Sequence, residues 1–193
     1  MMDSLGRHGL VCQHQIGRWL RHNEVNHIIK RALVSTKTPT NLEPCNLSIL
    51  NGKRPNGLTN LSWKQGKPLI WDFTVADTLC DTYVKNSAKQ ACSAAEIRKD
   101  QKSKHYKDLS NYHIVPIATE TYGAWVSQGL DLIKEIGKKI CEATHEKRST
   151  LFLIQRILIA IQRGNASCVL GTAPASESLD EVFDFVEQST DSS

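Results

Sequence analysis

No apolar run in this sequence is long enough to cross a membrane, and residues 1–8 lack the apolar core of a signal peptide. The longest apolar stretch, residues 151–161, is interrupted by Gln155-Arg156. Hydrophobic residues make up 40% of the 193 residues and charged residues 23%, and these values exclude a disordered or collagen-like chain. We therefore expect an intracellular, globular protein of one domain with a short appendage.

The six cysteines lack the close spacing that marks a local zinc knuckle. No Cys-x-x-Cys pair is present, and no two cysteines are closer than twelve residues. In an intracellular chain we expect free thiols, most of them small side chains of the core.

Positive charge is concentrated outside the last part of the chain. Residues 172–193 contain six acidic residues and no Lys or Arg, so residues 1–171 carry 24 basic and 14 acidic side chains. A basic body favours a polyanionic partner, DNA or RNA, although no dense Lys/Arg run is present. We divide the chain into a basic lead-in (1–21), an α/β domain (22–171) and an acidic tail (172–193).

The acidic tail also contains a short apolar repeat. Its apolar residues recur at i, i+3, i+4 and i+7, as Leu179, Val182, Phe183 and Val186. The pattern is typical of a short helix that docks on the body or on a partner protein, and the composition is equally typical of a disordered acidic tail.

The apolar periodicity of the body predicts an α/β chain with a small mixed sheet and helices around it. The last predicted helix is apolar on most sides, and we expect it to be the central packing helix. The predicted elements are a helix over 23–37, strands over 40–45, 57–63 and 69–76, a helix over 88–109, a strand over 112–119, and helices over 127–144 and 149–165.

Asp72 stands in the middle of the most apolar predicted strand, where a carboxylate is disfavoured unless it is paired or binds a metal. Thr74 lies two residues further on and therefore shares its face of the strand. Asn56 begins the preceding strand, and a hairpin can bring it beside Asp72. Glu24 and Glu43 lie earlier in the chain and can add carboxylates. The pattern predicts a cluster of oxygen donors.

Such a cluster is typical of metal-dependent phosphodiester cleavage. Carboxylates hold Mg²⁺ through hard oxygen ligands, and the metal stabilises charge on the phosphate. We predict Asp72 and Glu43 as metal ligands, with Asn56, Thr74 and Glu24 assisting and a water molecule as the nucleophile.

Five basic residues are the predicted contacts with nucleic acid. Arg156 and Arg163 lie seven residues apart and share a face of the last helix, where they can contact phosphate or a carboxylate such as Asp72. Lysines on a polar helix face are often exposed to solvent without a partner, and this alternative stays open for Lys102 and Lys104. The predicted set is Arg54, Lys102, Lys104, Arg156 and Arg163.

The order of helix, three-stranded meander, helix and strand resembles the core of the PD-(D/E)xK nuclease superfamily. A closer resemblance spans residues 8–172, where several phrases occur in order. Together they look like the C-terminal, endonuclease-like region of invertebrate retrotransposon polyproteins, which follows the reverse transcriptase, and like related stand-alone proteins. The phrases are Arg21–Asn26, Gly52–Thr59, Trp71–Val75, Glu120–Gly123, Gln155-Arg156 and Ile161–Ala166.

The sequence departs from the family pattern at the first motif position and from the wider superfamily pattern at the second. Asn56 stands where the family typically has the Asp of Arg-Pro-Asp-Gly, and an amide oxygen brings no negative charge to a metal. Thr74 stands where the wider superfamily prefers Lys, although Thr also occurs in the retroelement family. The resemblance therefore implies Mg²⁺ as a weakly held cofactor.

A zinc-motif remnant is the other departure. The segment His8–Cys12 resembles the second half of a Cys-Cys-His-Cys motif, and His14 can add a third ligand. Two ligands do not complete a tetrahedral site, so we expect no bound zinc. The chain then resembles a fragment of a longer reading frame, or a domesticated or decaying copy.

These features together predict a retroelement-derived domain that binds DNA or RNA and has a degenerate metal-dependent endonuclease site with weak or no cleavage. Two alternatives remain open. One is a catalytically dead interaction or structural module that docks through the acidic tail. The other is a non-functional remnant of a mobile element.

Overall fold

The computed structural model describes residues 8–11, 16–45, 47 and 54–171. Helices flank a four-strand mixed sheet, so the predicted α/β class is confirmed. None of the described helices is long and apolar enough to span a membrane. The elements are α1 (His8–Val11), α2 (Ile16–Ser35), β1 (Thr40–Leu42), β2 (Gly57–Lys64), β3 (Lys67–Ala76), α3 (Val84–Ser87), α4 (Ser93–His105), β4 (His113–Glu120), α5 (Ser127–Thr144) and α6 (Ser149–Leu170).

The sheet has the strand order β1-β2-β3-β4. The first three strands are antiparallel neighbours, whereas β4 pairs parallel to β3. A two-residue turn at Gln65-Gly66 joins β2 to β3, and both residues have positive φ, as the favoured hairpin turns require. A parallel neighbour needs a crossover, and α3 and α4 supply it.

One face of the sheet carries the main core. The alternation predicted for β3 is confirmed, because Leu69, Trp71, Phe73 and Val75 all belong to this core. Helices α2, α5 and α6 cover it with their apolar stripes. Gly57 of β2 lies against the Trp71 ring so closely that a Cβ would overlap it, so only glycine fits there.

The opposite face of the sheet is covered by α4. Its buried residues are the small Ala94 and Ala95, which let the helix approach β3 and β4 closely. The sequence predicts one helix over 88–109, but the structure has the short α3 and then α4. At its start, α4 is fixed by Glu120, whose Oε1 accepts the Ala94 N–H at 3.1 Å. A carboxylate at a helix N-terminus is favourable, so the end of β4 orients α4.

Residues 16–21, assigned to the lead-in from the sequence, belong to α2 and pack against α6. The buried Arg21 guanidinium donates to the side-chain oxygen of Asn165. A Cβ on Gly164 would overlap the Arg21 side chain. The helix begins at Ile16 rather than at residue 23, because close glycine contacts and polar contacts pack its first turns against α6. Such contacts produce no apolar periodicity in the sequence.

Helix α6 packs against α1, α2 and α5, in agreement with its predicted packing role, and its outer side is exposed. It runs to Leu170, beyond its predicted end. Ile157 and Ile161 enter the core, whereas Phe152 and Ile159 are 46% and 53% exposed. The helix is apolar on most sides, but only one stripe meets the sheet and its neighbouring helices.

Two sequence predictions fall outside the described residues. Cys12 and His14 of the zinc-motif remnant are among the residues that the structure does not describe, and so is the acidic tail, 172–193. Both predictions stay predictions.

Candidate functional site

Asp72 occupies the middle of β3 on the face that α4 covers, and it is 1% exposed. Its Oδ2 accepts a hydrogen bond from the Tyr106 hydroxyl and lies 2.7 Å from the Lys102 ammonium. Both partners come from α4 and the residue that follows it. A buried carboxylate is tolerated when it is paired and hydrogen-bonded, so this contact explains the acid in an apolar strand.

Tyr106 is a fixed hydrogen-bond donor in this site. Burial and the negative charge of Asp72 raise the pKa of its hydroxyl well above the ordinary value. The phenol therefore stays protonated and donates to the carboxylate at every physiological pH.

The second carboxylate oxygen of Asp72 has no hydrogen-bond partner in the described part of the chain. A buried charged oxygen without a partner is costly, and native structures rarely contain one. Asp72 is one of the residues lining a cavity of about 300 Å³. A water molecule or a ligand in this cavity can satisfy the oxygen.

The cavity is predominantly basic. Its described lining has two arginines, one lysine and one histidine around one carboxylate, that of Asp72. Arg98 Nε and His105 Nε2 are also buried and have no hydrogen-bond partner in the described residues. Guanidinium and ammonium groups around one carboxylate favour an anionic ligand. The lining residues are Arg54, Asn56, Asp72, Arg98, Gln101, Lys102, His105 and Tyr106.

Asn56 and Asp72 line the same cavity, as expected for neighbouring strands. The Asn56 side-chain oxygen accepts the Phe73 N–H at 2.6 Å, next to Asp72 in the chain. The backbone oxygen of Asn56 accepts the Glu43 N–H at 3.0 Å. Asn56 is therefore held on both sides at the start of β2.

The structure does not bring the other predicted acids to Asp72. Glu24 is exposed and pairs with Arg31 at 3.0 Å on α2, which covers the opposite face of the sheet. Glu43 is exposed just after β1 and shares a separate cavity with Asn56. Thr74 is half-buried on the same strand face, but it is not among the residues that line the Asp72 cavity.

The predicted nucleic-acid contacts divide into separate groups. Arg54 and Lys102 line the Asp72 cavity, whereas Lys104 is exposed on α4 and does not. Arg156 and Arg163 line a groove between α2 and α6. This groove lies on the other side of the sheet, so these arginines do not pair with Asp72. Lys102 pairs with it instead.

Sequence reasoning missed Arg98, Gln101, His105 and Tyr106 as site residues. Arg98, Lys102, His105 and Tyr106 follow the spacing i, i+4, i+7 and i+8, which places them on one helix face. This polar stripe was available as a signal. A buried acid also requires a cationic partner. Lys102 provides it from α4, the helix that connects the parallel strands β3 and β4.

The predicted metal ligands do not form a cluster in the described residues. No group of three or more His, Cys, Asp and Glu side chains is placed there to hold a metal ion. At Asp72, one oxygen is available, the other contacts a cation, and Asn56 is neutral. Mg²⁺ relies on negatively charged oxygen ligands, so the residues present do not fit a tightly held Mg²⁺.

Comparison with known proteins assigns no family: no protein-family model matches the chain, and no curated protein matches it. The functional interpretation therefore depends on the geometry around Asp72.

Proposed function

We propose that this chain is a retroelement-derived domain of PD-(D/E)xK-like fold that binds nucleic acid and has a degenerate endonuclease site with weak or no cleavage. The observation behind the proposal is the ion pair of the buried Asp72 with Lys102, in a cavity that two arginines also line. The element order supports the fold assignment: a helix, an antiparallel meander, a crossover helix and a parallel fourth strand.

A backbone phosphate is the ligand that suits this cavity best. Arg54 and Arg98 offer guanidinium donors that match phosphate oxygens, and Lys102 adds a third positive charge. Asp72 contributes one negative charge, which Lys102 already neutralises. The cavity thus retains net positive charge within a basic body.

Lys102 supplies the cation that the superfamily motif places two residues after its acid. Thr74 stands at that position here, but the Lys102 ammonium reaches the same carboxylate from α4. The helix therefore provides the positive charge that Thr74 does not. Asn56 remains uncompensated, because none of the described residues that line the cavity brings a second carboxylate. The proposed site keeps its phosphate-binding cations and lacks a metal-binding pair of acids.

Binding is tested by fluorescence anisotropy with labelled single- and double-stranded DNA and RNA at several salt concentrations. We expect affinity to fall as salt rises, because phosphate contacts release counterions. The double variant Arg54→Gln/Arg98→Gln should weaken binding by about tenfold and reduce the salt slope by about two. The matched control is Arg31→Gln/Arg148→Gln, which removes two exposed arginines outside the cavity. Equal affinities for both double variants would contradict the assignment of the cavity.

Cleavage is tested with Mn²⁺ on the same DNA substrates. The variant Asn56→Asp keeps the oxygen that accepts the Phe73 N–H and adds one negative charge in the Asp72 cavity. We expect it to gain metal-dependent cleavage over the unaltered protein, and we expect Asn56→Asp/Asp72→Ala to lose that gain. If every variant is silent and none binds nucleic acid in a salt-dependent way, the proposal fails and the interaction-module or remnant alternative takes its place.

A further inference from the structure

Helices α2 and α6 leave a groove of about 480 Å³ between them. Its lining includes the apolar side chains of Leu20, Ile28, Phe152 and Ile159. Three of these side chains are unusually exposed for their type, with Leu20 at 45%, Phe152 at 46% and Ile159 at 53%. An exposed apolar groove with a polar rim is typical of a protein–protein contact.

Three arginines line the same groove. Arg21 lies at its floor, 5% exposed, and donates to the amide oxygen of Asn165. Arg156 and Arg163 are exposed on α6. Within the described ranges, no carboxylate forms an ion pair with any of these three. Glu24, the one acid among the described residues that line the groove, pairs with Arg31. An occupant with both apolar and acidic residues therefore complements the groove.

We propose that the acidic tail of this chain, residues 172–193, folds back and occupies the α2–α6 groove as a short amphipathic helix. Its apolar residues Leu179, Val182, Phe183 and Val186 have the i, i+3, i+4, i+7 spacing with which helices enter apolar grooves. The segment has six acidic residues and no Lys or Arg, so it provides carboxylates that can pair with the groove arginines.

The tail is long enough to make this contact within one molecule. It begins directly after α6, and Ser167 near that end of α6 already lines the groove. The groove lining on α6 extends from Phe152 to Ser167, which corresponds to about 22 Å of helix. Leu179 lies eight residues after Gly171, and this segment spans up to about 27 Å when extended. The apolar repeat can therefore reach any part of the groove.

Photo-cross-linking in the full chain tests the proposal. The reactive residue p-benzoylphenylalanine replaces Phe183, which keeps an aromatic ring in the repeat, and mass spectrometry locates the adducts. We expect intramolecular adducts with residues 20–28 and 152–167, at a yield that does not depend on protein concentration. The same reactive residue at Ser189, which lies outside the repeat, should give no enrichment of adducts in the groove.

Charge reversal in the groove provides the second test. We expect Arg156→Glu/Arg163→Glu to lower the groove adducts several-fold, and we expect the matched control Lys138→Glu/Lys147→Glu to leave them unchanged. All four side chains are exposed, so each double variant should retain its fold, which circular dichroism checks. Adducts elsewhere on the chain, adducts that join two copies, or a groove variant that cross-links normally would each overturn the proposal.

Discussion

A single buried carboxylate organises the candidate site at the residue scale. Lys102 of α4 and Tyr106, the residue after it, both turn inward to Asp72, because a charge in an apolar strand requires partners. From the sequence, the unusual position of Asp72 could be recognised. Its partners could not be identified, because lysines and tyrosines are also common on solvated helix faces. Only the packing of α4 on β3 and β4 selects among them.

The raised pKa of Tyr106 makes stability sensitive to alkaline pH. Burial and the charge of Asp72 raise the pKa of this hydroxyl above its unfolded value of 10.0. The stabilisation is therefore fully present below about pH 10 and is lost as the pH rises further. We expect the free energy of unfolding, measured by urea titration, to fall more steeply above pH 10 in the unaltered protein than in Tyr106→Phe.

The same variant provides its own control at neutral pH. There Tyr106→Phe removes a hydrogen bond to a charged group and should cost about 1.5–3 kcal/mol. Parallel stability curves for the two proteins between pH 9 and 11 would show that the hydroxyl is not buried against Asp72.

At the scale of elements, the sequence predicts best those helices and strands whose apolar residues all face one core. The helix over 127–144 has its predicted bounds, and β3 alternates as expected, because both present a continuous apolar stripe to one core. The predicted start of α2 was wrong by seven residues, because glycines and Arg21 form the packing contacts of its first turns with α6. Such a contact depends on residues of both helices, so the sequence of either helix alone does not reveal it.

The close packing of α2 against α6 depends on Gly164. At a solvent-exposed helix position, a Gly→Ala substitution should stabilise by about 1 kcal/mol through helix propensity. At Gly164 the new Cβ would overlap the Arg21 side chain. We therefore expect Gly164→Ala to destabilise the protein by about 1–3 kcal/mol, as overpacking does. Thermal unfolding followed by circular dichroism decides the sign, and a raised melting temperature would show that the two helices can move apart without cost.

At the scale of the whole molecule, charge is divided between a basic body and an acidic tail. The net charge of the chain is +4, and replacing the six acids of residues 172–193 by their amides raises it to +10. If the body binds nucleic acid as proposed, removing this negative charge strengthens long-range attraction. We expect the full-length amide variant to bind DNA several-fold more tightly at about 50 mM salt, with the difference shrinking as salt screens the charges.

The control for this variant replaces six Ser and Thr residues of the same segment by Ala, which changes its composition without changing its charge. We expect that protein to bind like the original. An amide variant with unchanged affinity at low salt would show that the body does not attract nucleic acid through its net charge.

The two outer strands of the sheet limit aggregation. One edge is β1, only three residues long, and the other is β4, which contains Pro116. Short strands and prolines at an edge discourage the addition of a further strand from another molecule. The sheet formed by the described residues is thus protected against edge-to-edge growth into fibrils. We therefore expect any association between the described parts of two copies to use the helical surfaces rather than the sheet edges.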